Sequence, residues 1–183
     1  MGIPTIPNRT GKATASDTVQ TPVGIAKMIV SAFAPQGLTL EPCRGMGNIY
    51  NELPEPKDWC EITEGRDFFD YHSKVDWIIT NPPFSIYDHF LEHCFEVADN
   101  VVLLAPIAKA FKSMRIERIV DDYGGLKTIW LIGSGTRCGF VFGFPTGCLY
   151  YQRRYKGKIE RVVGATQARV IYAARRSDVS SIS

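Results

Sequence analysis

Hydrophobic positions along the chain alternate between strand-like runs and helix-like repeats. Short apolar runs with the β-branched and aromatic content of strands lie at 38–43, 59–62, 75–80, 101–107, 126–132 and 148–152. Apolar residues recur at helical spacing from Ile25 to Phe33 and from Ile86 to Val97. Because strand, helix and strand follow one another, the pattern predicts an α/β domain with a parallel sheet. The last two runs are joined by a loop alone, which predicts an antiparallel hairpin.

The length of 183 residues fits one domain. Residues 1–18 show no apolar periodicity and are predicted to form an N-terminal arm. We expect the folded domain to span 19–172, with a final edge strand within 161–172, and we expect 173–183 to form a frayed tail.

Composition and charge exclude few classes of function. A hydrophobic content of 45% and a charged content of 22% are typical of a soluble globular protein, and the net charge of +2 argues only against a tail-driven nucleic-acid binder. The five cysteines form no CxxC pair, which predicts buried thiols in a reducing compartment rather than disulfides or a zinc site. No apolar run is long enough to predict a membrane span and no signal pattern is present, so we expect a cytoplasmic location.

The segment VDWIITNPPF at 75–84 is the strongest candidate for a functional site. Its first six residues have strand character, and Asn81, Pro82, Pro83 and Phe84 follow. The two prolines lack N–H donors and fix φ, so the strand must end in a stiff turn. Open α/β sheets bind ligands at the carboxyl ends of their strands.

The turn offers hydrogen-bond acceptors beside an aromatic ring. The amide oxygen of Asn81 and the proline carbonyls suit a substrate NH2 group, and the ring of Phe84 suits stacking against a base. These residues predict a pocket for an exocyclic amine on an aromatic heterocycle. The alternative is an ordinary turn, with Phe84 as a core anchor.

The motif TNPPF resembles the catalytic (D/N/S)PP(Y/F/W) motif of S-adenosylmethionine-dependent amino-methyltransferases, and its Asn and Phe are most like those of the DNA N6-adenine enzymes. The resemblance implies that Asn81, Pro82, Pro83 and Phe84 are catalytic. It also implies a class I, Rossmann-like fold, with a mostly parallel doubly wound sheet and an antiparallel C-terminal hairpin. RNA adenine methyltransferases, protein glutamine methyltransferases and an inactive methyltransferase-like binding subunit remain alternatives.

Two further features suit a nucleoside ligand. Gly45 and Gly47 permit a sharp turn and a close approach of the backbone to a ligand, and the predicted helix start after them favours a carboxylate. Glu61 lies 20 residues after Glu41, at the tip of the second strand run. Nucleoside-binding α/β folds hold ribose hydroxyls from that position.

Three segments resemble the cofactor motifs of the same methyltransferases: QTP resembles motif X, EPCRGMG resembles motif I and GRDFFDY resembles motif III. By this resemblance, Asp67 would accept a hydrogen bond from the adenine amino group of the cofactor. Phe68 or Phe69 would line the pocket of the adenine ring. The alternative is that Asp67 caps a turn and both rings lie in the core. Each motif is expected at the end of a strand. Together with the ribose assignment, the residues implied to bind S-adenosylmethionine are Thr21, Pro22, Glu41, Pro42, Gly45, Gly47, Glu61, Asp67 and Phe68.

Basic residues after the 101–107 strand and in the hairpin loop are candidates for phosphate contacts. They are Lys109, Lys112, Arg115 and Arg137. A solvated helix face is the alternative for the first three. His89 and His93 share a helical face, but further metal ligands are lacking, so we expect no metal and two exposed or half-buried histidines.

The sequence therefore predicts an enzyme that transfers a methyl group from S-adenosylmethionine to the N6 amine of adenine in DNA, with RNA as the alternative substrate. No separate target-recognition domain fits in 183 residues. We accordingly expect a homodimer or a partner subunit that supplies target recognition.

Overall fold

The computed structural model describes residues 19–164. Its helices are α1 (Val23–Phe33), α2 (Tyr87–Val97) and α3 (Met114–Tyr123). Its strands are β1 (Thr39–Glu41), β2 (Lys57–Trp59), β3 (Val75–Thr80), β4 (Ala98–Pro106), β5 (Gly124–Ser134), β6 (Pro145–Arg153) and β7 (Glu160–Val163). The predicted arm at 1–18 and the predicted tail at 173–183 lie outside the described residues. Most of the predicted edge segment 161–172 also lies outside them, and its first three residues belong to β7.

All seven strands form one sheet in the order β2-β1-β3-β4-β6-β5-β7. The first four of these are mutually parallel, whereas β6 runs antiparallel to both β4 and β5. The edge strand β7 pairs in parallel with β5. The predicted parallel sheet with an antiparallel carboxyl-terminal hairpin is therefore confirmed.

The sheet is covered on both faces because successive residues of its central strands point to opposite sides. Ile78 and Val101 belong to the core under α2 and α3. Ile79 and Val102 belong to the core under α1. Helices on both faces make the sheet doubly wound, and the carboxyl ends of β1, β3 and β4 meet at one edge.

The crossovers on the β1 side of the sheet are shorter than predicted. The helix expected after the glycine loop is a single 3-10 turn at Tyr50–Glu52, and the second strand is Lys57–Trp59 rather than 59–62. The strand ends early because Glu61 accepts a bond from the N–H of Thr63 and starts another 3-10 turn at Ile62–Glu64.

The expectation that every motif follows a strand is wrong for Asp67. Within the described chain, Asp67 precedes a 3-10 turn at Phe68–Asp70, and its Oδ1 accepts a hydrogen bond from the N–H of Phe69 at 2.9 Å. That capping bond satisfies a donor that a strand would pair in the sheet.

All five cysteines are free thiols, four of them buried and Cys43 half-buried. Within 19–164, no helix is long and apolar enough to cross a membrane.

Candidate active site

A cavity of about 410 Å³ opens at the carboxyl edge of the sheet, beside β1 and β3. Its size falls within the range of about 300–1,000 Å³ that is usual for small-molecule sites. Nine of the residues predicted from the sequence line it, namely Thr21, Glu41, Pro42, Gly45, Glu61, Asp67, Phe68, Asn81 and Pro83. The fold thus brings segments that are distant in sequence into one site.

The glycine loop after β1 is held by the segment before α1. Gly45 has a φ of +50°, and a Cβ there would lie 2.6 Å from the Gln20 side chain, so only glycine fits without a shift. Gln20 in turn accepts a bond from the N–H of Met46 at 3.0 Å, and Asn48 donates to the carbonyl of Thr21 at 2.8 Å. These bonds join the segment predicted as motif X to the segment predicted as motif I.

Glu61 carries its charge at the cavity wall. Its carboxylate accepts bonds from the N–H of Gly45 at 2.7 Å and from the hydroxyl of Thr63 at 2.8 Å. Partial burial alone would raise the pKa of Glu61, but the bonds from Thr63 and Gly45 outweigh it and lower that pKa. A charged carboxylate at this place suits hydroxyl donors such as those of ribose.

Glu41 is a second acid in the same cavity, and its pKa is shifted in the opposite direction. Its side chain is 2% exposed, and burial raises its pKa to about 9 against weaker opposing effects of the Tyr50 N–H and Arg44. Its Oε2 has no hydrogen-bond partner among the described residues. Because an unpartnered buried carboxyl is costly, this oxygen is suited to a ligand that brings a donor or a positive charge.

The turn that carries Asp67 and Phe68 is fixed from α2 by His93. The ring of His93 is 7% exposed, so the expectation of an exposed or half-buried side chain is wrong for this histidine, while His89 is half-buried. The Nε2 of His93 lies 3.0 Å from the carbonyls of both Phe68 and Tyr71, and the Nδ1 of His93 lies 2.9 Å from Glu96. Nε2 must therefore carry a proton that it donates to the turn.

Asn81 follows β3 directly and is oriented by a distant part of the chain. Its Nδ2 donates to the carbonyl of Val19 at 3.0 Å. Since the NH2 end of the amide is used in this way, Oδ1 is left as an acceptor at the cavity wall.

Of the three other residues of the motif, one lines the cavity and two do not. Pro83 lines the cavity, whereas Pro82 is buried and Phe84, which is 8% exposed, is not among the lining residues. The ring of Phe84 packs edge-on against Phe142 of the β5–β6 loop, with centroids 6.0 Å apart. Phe142 is itself stacked between Phe140 and Phe144.

Three of the four predicted phosphate contacts have protein partners in this structure. Lys109 donates to the carbonyl of Phe84 at 2.8 Å, Lys112 pairs with Asp88 at 3.2 Å and Arg115 pairs with Glu92 at 2.7 Å. Arg137 is exposed in the 3-10 turn at Thr136–Cys138 of the β5–β6 loop.

Pro22 and Gly47, also predicted to bind the cofactor, do not line the cavity. Pro22 precedes α1 and lies against Gly139 of the β5–β6 loop, and Gly47 adopts a φ of +82° within the glycine loop.

Sequence reasoning missed other lining residues, among them Gln20, Asn48, Ile62 and Phe90. Ile62 is 66% exposed in the structure, and its position directly after Glu61 is the sequence signal that could have identified it. No group of His, Cys, Asp or Glu within 19–164 is arranged to hold a metal ion.

Comparison with known proteins gives a fold and no closer relationship. No protein-family model matches the chain, and no curated protein matches its sequence. A Listeria monocytogenes protein assigned to the class I S-adenosylmethionine-dependent methyltransferases has a similar structure, with a TM-score of 0.60, 11% identity and coverage of 88% of this chain and 71% of that one.

Two other solved structures are similar. The methyltransferase subunit of a Streptococcus thermophilus type I restriction-modification system has a TM-score of 0.61 at 14% identity, covering 90% of this chain and 54% of that one. A Pyrococcus horikoshii protein assigned as an RNA methyltransferase has a TM-score of 0.54 at 14% identity, covering 74% of this chain and 83% of that one. This chain thus spans about half the length of the Streptococcus subunit. The protein has the class I methyltransferase fold, as predicted.

Proposed function

We propose that this protein transfers a methyl group from S-adenosylmethionine to the N6 amine of adenine in DNA. The observation that carries the proposal is the position of Asn81, which lines the same cavity as Glu41 and Glu61 and whose NH2 group is held by the Val19 carbonyl. The similar structures support methyl transfer through their fold, and the restriction-modification subunit among them makes DNA the first substrate to test.

The residues of the cavity fit S-adenosylmethionine. Its ribose hydroxyls would donate to the charged Glu61, and its adenine would lie by Asp67, Phe68 and Ile62. The unpartnered Oε2 of Glu41 would accept a hydrogen bond from the ammonium group of its methionine end. When bound, the cofactor supplies a methyl group on a positively charged sulfur.

The residues after β3 would prepare the amine for attack. The lone pair of adenine N6 is delocalised into the ring. Oδ1 of Asn81 and the carbonyl of Pro82 would accept hydrogen bonds from the two N–H groups of this amine. These bonds would turn the lone pair towards the methyl carbon. As the nitrogen–carbon bond forms and the sulfur–carbon bond breaks, the same oxygens would stabilise the positive charge that develops on nitrogen. The surplus proton would leave to water, and catalysis would come from orientation and fixed dipoles.

A target adenine inside a duplex would have to leave the base stack to reach this turn. Phe84 and the stacked rings at Phe140, Phe142 and Phe144 lie together beside it, and Phe144 is 44% exposed. Aromatic rings at such a place suit an extruded base. Target recognition would be completed by a second copy or a partner subunit.

The variant Asn81→Ala tests the reaction. We expect the single-turnover rate with DNA to fall by roughly 100-fold or more, as for the loss of one catalytic hydrogen-bonding group, while the dissociation constant of the cofactor stays within a factor of about three. Labelled S-adenosylmethionine with DNA, RNA and protein in parallel arms measures the first quantity, and calorimetry measures the second.

Asn51→Ala, at an exposed asparagine, is the matched control and should transfer at the wild-type rate. Asn81→Asp keeps an acceptor but loses the donor to Val19, so we expect an intermediate rate. If the wild-type protein methylates RNA or protein but not DNA, the proposed substrate is wrong. If Asn81→Ala transfers the methyl group at the wild-type rate, the proposed role of Asn81 is wrong.

A further inference from the structure

We propose that Lys109 is a positioning residue that holds the turn Asn81–Phe84 for methyl transfer, and that it is not a phosphate contact. The inference rests on the proposed function for its catalytic consequence. The anchoring of the turn can be measured without any substrate.

Lys109 lies where β4 and the catalytic turn come together. It belongs to the 3-10 helix Ile107–Phe111, which follows β4, and β3 and β4 are parallel neighbours whose carboxyl ends share one edge. Its half-buried Nζ donates to the carbonyl of Phe84 at 2.8 Å and lies 5.6 Å from the ring centroid of Tyr87, the first residue of α2. The ammonium group therefore bridges the end of the motif and the start of the next helix.

The two prolines limit the hydrogen bonds that the turn can donate. Pro82 and Pro83 have no N–H to donate, and Pro83 provides no side-chain cap for the 3-10 helix Phe84–Ile86. Asn81 is held at one end of the turn by Val19, and Lys109 holds the other end at Phe84. A hydrogen bond from an ionised donor is about twice as strong as a neutral one, so this bond is a substantial part of what fixes the turn.

A phosphate would compete with the bond that the structure shows. Moving the Lys109 ammonium to a phosphate would leave the Phe84 carbonyl without this donor, while Phe84 itself is 8% exposed. Lys112, Arg115 and Arg137 differ from Lys109 in being exposed. The four predicted phosphate contacts thus separate into one half-buried cation that bonds the catalytic turn and three on the surface.

Hydrogen exchange in the unliganded protein tests the anchoring directly. In Lys109→Met we expect the amides of Phe84, Ser85 and Ile86 to exchange faster than in the wild type. Lys27→Met makes the same change of charge at an exposed position on α1 and should leave them unchanged. Lys109→Arg retains a charged donor and should restore part of the protection.

Kinetics then distinguish positioning from phosphate binding. In Lys109→Met, the single-turnover rate at saturating DNA should fall by roughly 10- to 100-fold, as expected for a slight misplacement of reacting groups, with cofactor affinity and the salt dependence of DNA binding unchanged. A wild-type rate combined with a salt slope reduced by about 1 unit would make Lys109 a phosphate contact and overturn the proposal. Unchanged exchange in Lys109→Met would also overturn it, whereas faster exchange in a protein that methylates no substrate would refute only the proposed reaction.

Discussion

Glu41 and Glu61 are two carboxyl groups in one cavity whose surroundings move their pKa values in opposite directions. Burial raises the pKa of Glu41 to about 9, and hydrogen bonds from Thr63 and Gly45 lower that of Glu61. Near neutral pH the first is therefore protonated and the second charged. The cavity thus offers a charged acceptor at Glu61 and a neutral carboxyl at Glu41, whose unpartnered Oε2 can accept a hydrogen bond.

The raised pKa of Glu41 makes the stability of the protein depend on pH. Between the ordinary pKa of about 4.3 and the folded value of about 9, the folded state keeps a proton that the unfolded chain has lost, so stability falls as pH rises through this range. We expect Glu41→Gln, which cannot ionise, to lack this loss. Denaturant unfolding at pH 5, 7 and 9 should show wild type losing up to about 1.4 kcal/mol per pH unit relative to the variant.

Parallel pH profiles for wild type and Glu41→Gln would show that Glu41 is charged in the folded protein. Asp122→Asn, at an exposed acid at the end of α3, is the control and should follow the wild-type profile.

At the scale of elements, the turn Phe68–Asp70 stands where the motif predicted a strand end, and it is packed against α2. The ring of Phe68 lies 4.8 Å from that of Phe90 and 4.6 Å from that of His93. The same histidine bonds the carbonyl of Phe68, the first residue of the turn, and that of Tyr71, the residue after it. The adenine side of the proposed cofactor site is thus held by a helix rather than by the sheet.

Loss of His93 should lower the affinity for the cofactor without changing the rate of methyl transfer. His93→Leu leaves the carbonyl of Tyr71 without the His93 donor and that of Phe68 with only the N–H of Tyr71, which should lower the free energy of unfolding by about 1–3 kcal/mol and weaken cofactor binding. We expect the single-turnover rate at saturating cofactor to stay near that of wild type. Calorimetry and rapid-quench methylation measure the two quantities.

His93→Gln can still donate to a carbonyl and should recover part of the affinity. His89→Leu, on the same helix but half-buried, should bind the cofactor as wild type does. Equal affinity in His93→Leu and wild type would show that the turn needs no support from α2.

Over the whole molecule, the sheet gathers the segments before α1 and after β1, β2 and β3 at one edge. The surface cations near that edge differ in how they are engaged. Lys112 and Arg115 pair with acids of α2, and Arg137 is exposed in the β5–β6 loop. A phosphate must compete with Asp88 or Glu92 for the first two.

Arg137 should therefore contribute most to the electrostatic part of DNA binding. Arg137→Ala should reduce the slope of log affinity against log salt by about 1 unit, and Lys112→Ala and Arg115→Ala should reduce it by less. Titration of fluorescent DNA at several salt concentrations measures the slopes. Identical slopes in all three variants and wild type would place the phosphate contacts on another surface or on a partner subunit.

The sequence by itself determined the central strand, the stiff turn after it and the glycine turn at Gly45. Each depends on local chemistry: apolar β-branched residues favour a buried strand, two prolines end it, and a positive φ favours glycine. The parallel direction of the first strands was also predictable, because strand, helix and strand in succession give a parallel sheet. The segments that line the cavity follow from these features and from the resemblance in their motifs.

Only the tertiary structure decided the state and the partners of individual side chains. Burial of Glu41, the bonds of His93 to a turn more than 20 residues away and the bond from Lys109 to Phe84 all depend on residues far apart in the chain. Periodicity and composition carry no record of such contacts. Lys109 shows the consequence, since a lysine after a strand end looks like a phosphate contact in sequence. The carbonyl of Phe84, which accepts its hydrogen bond, comes within reach only when β3 and β4 lie side by side.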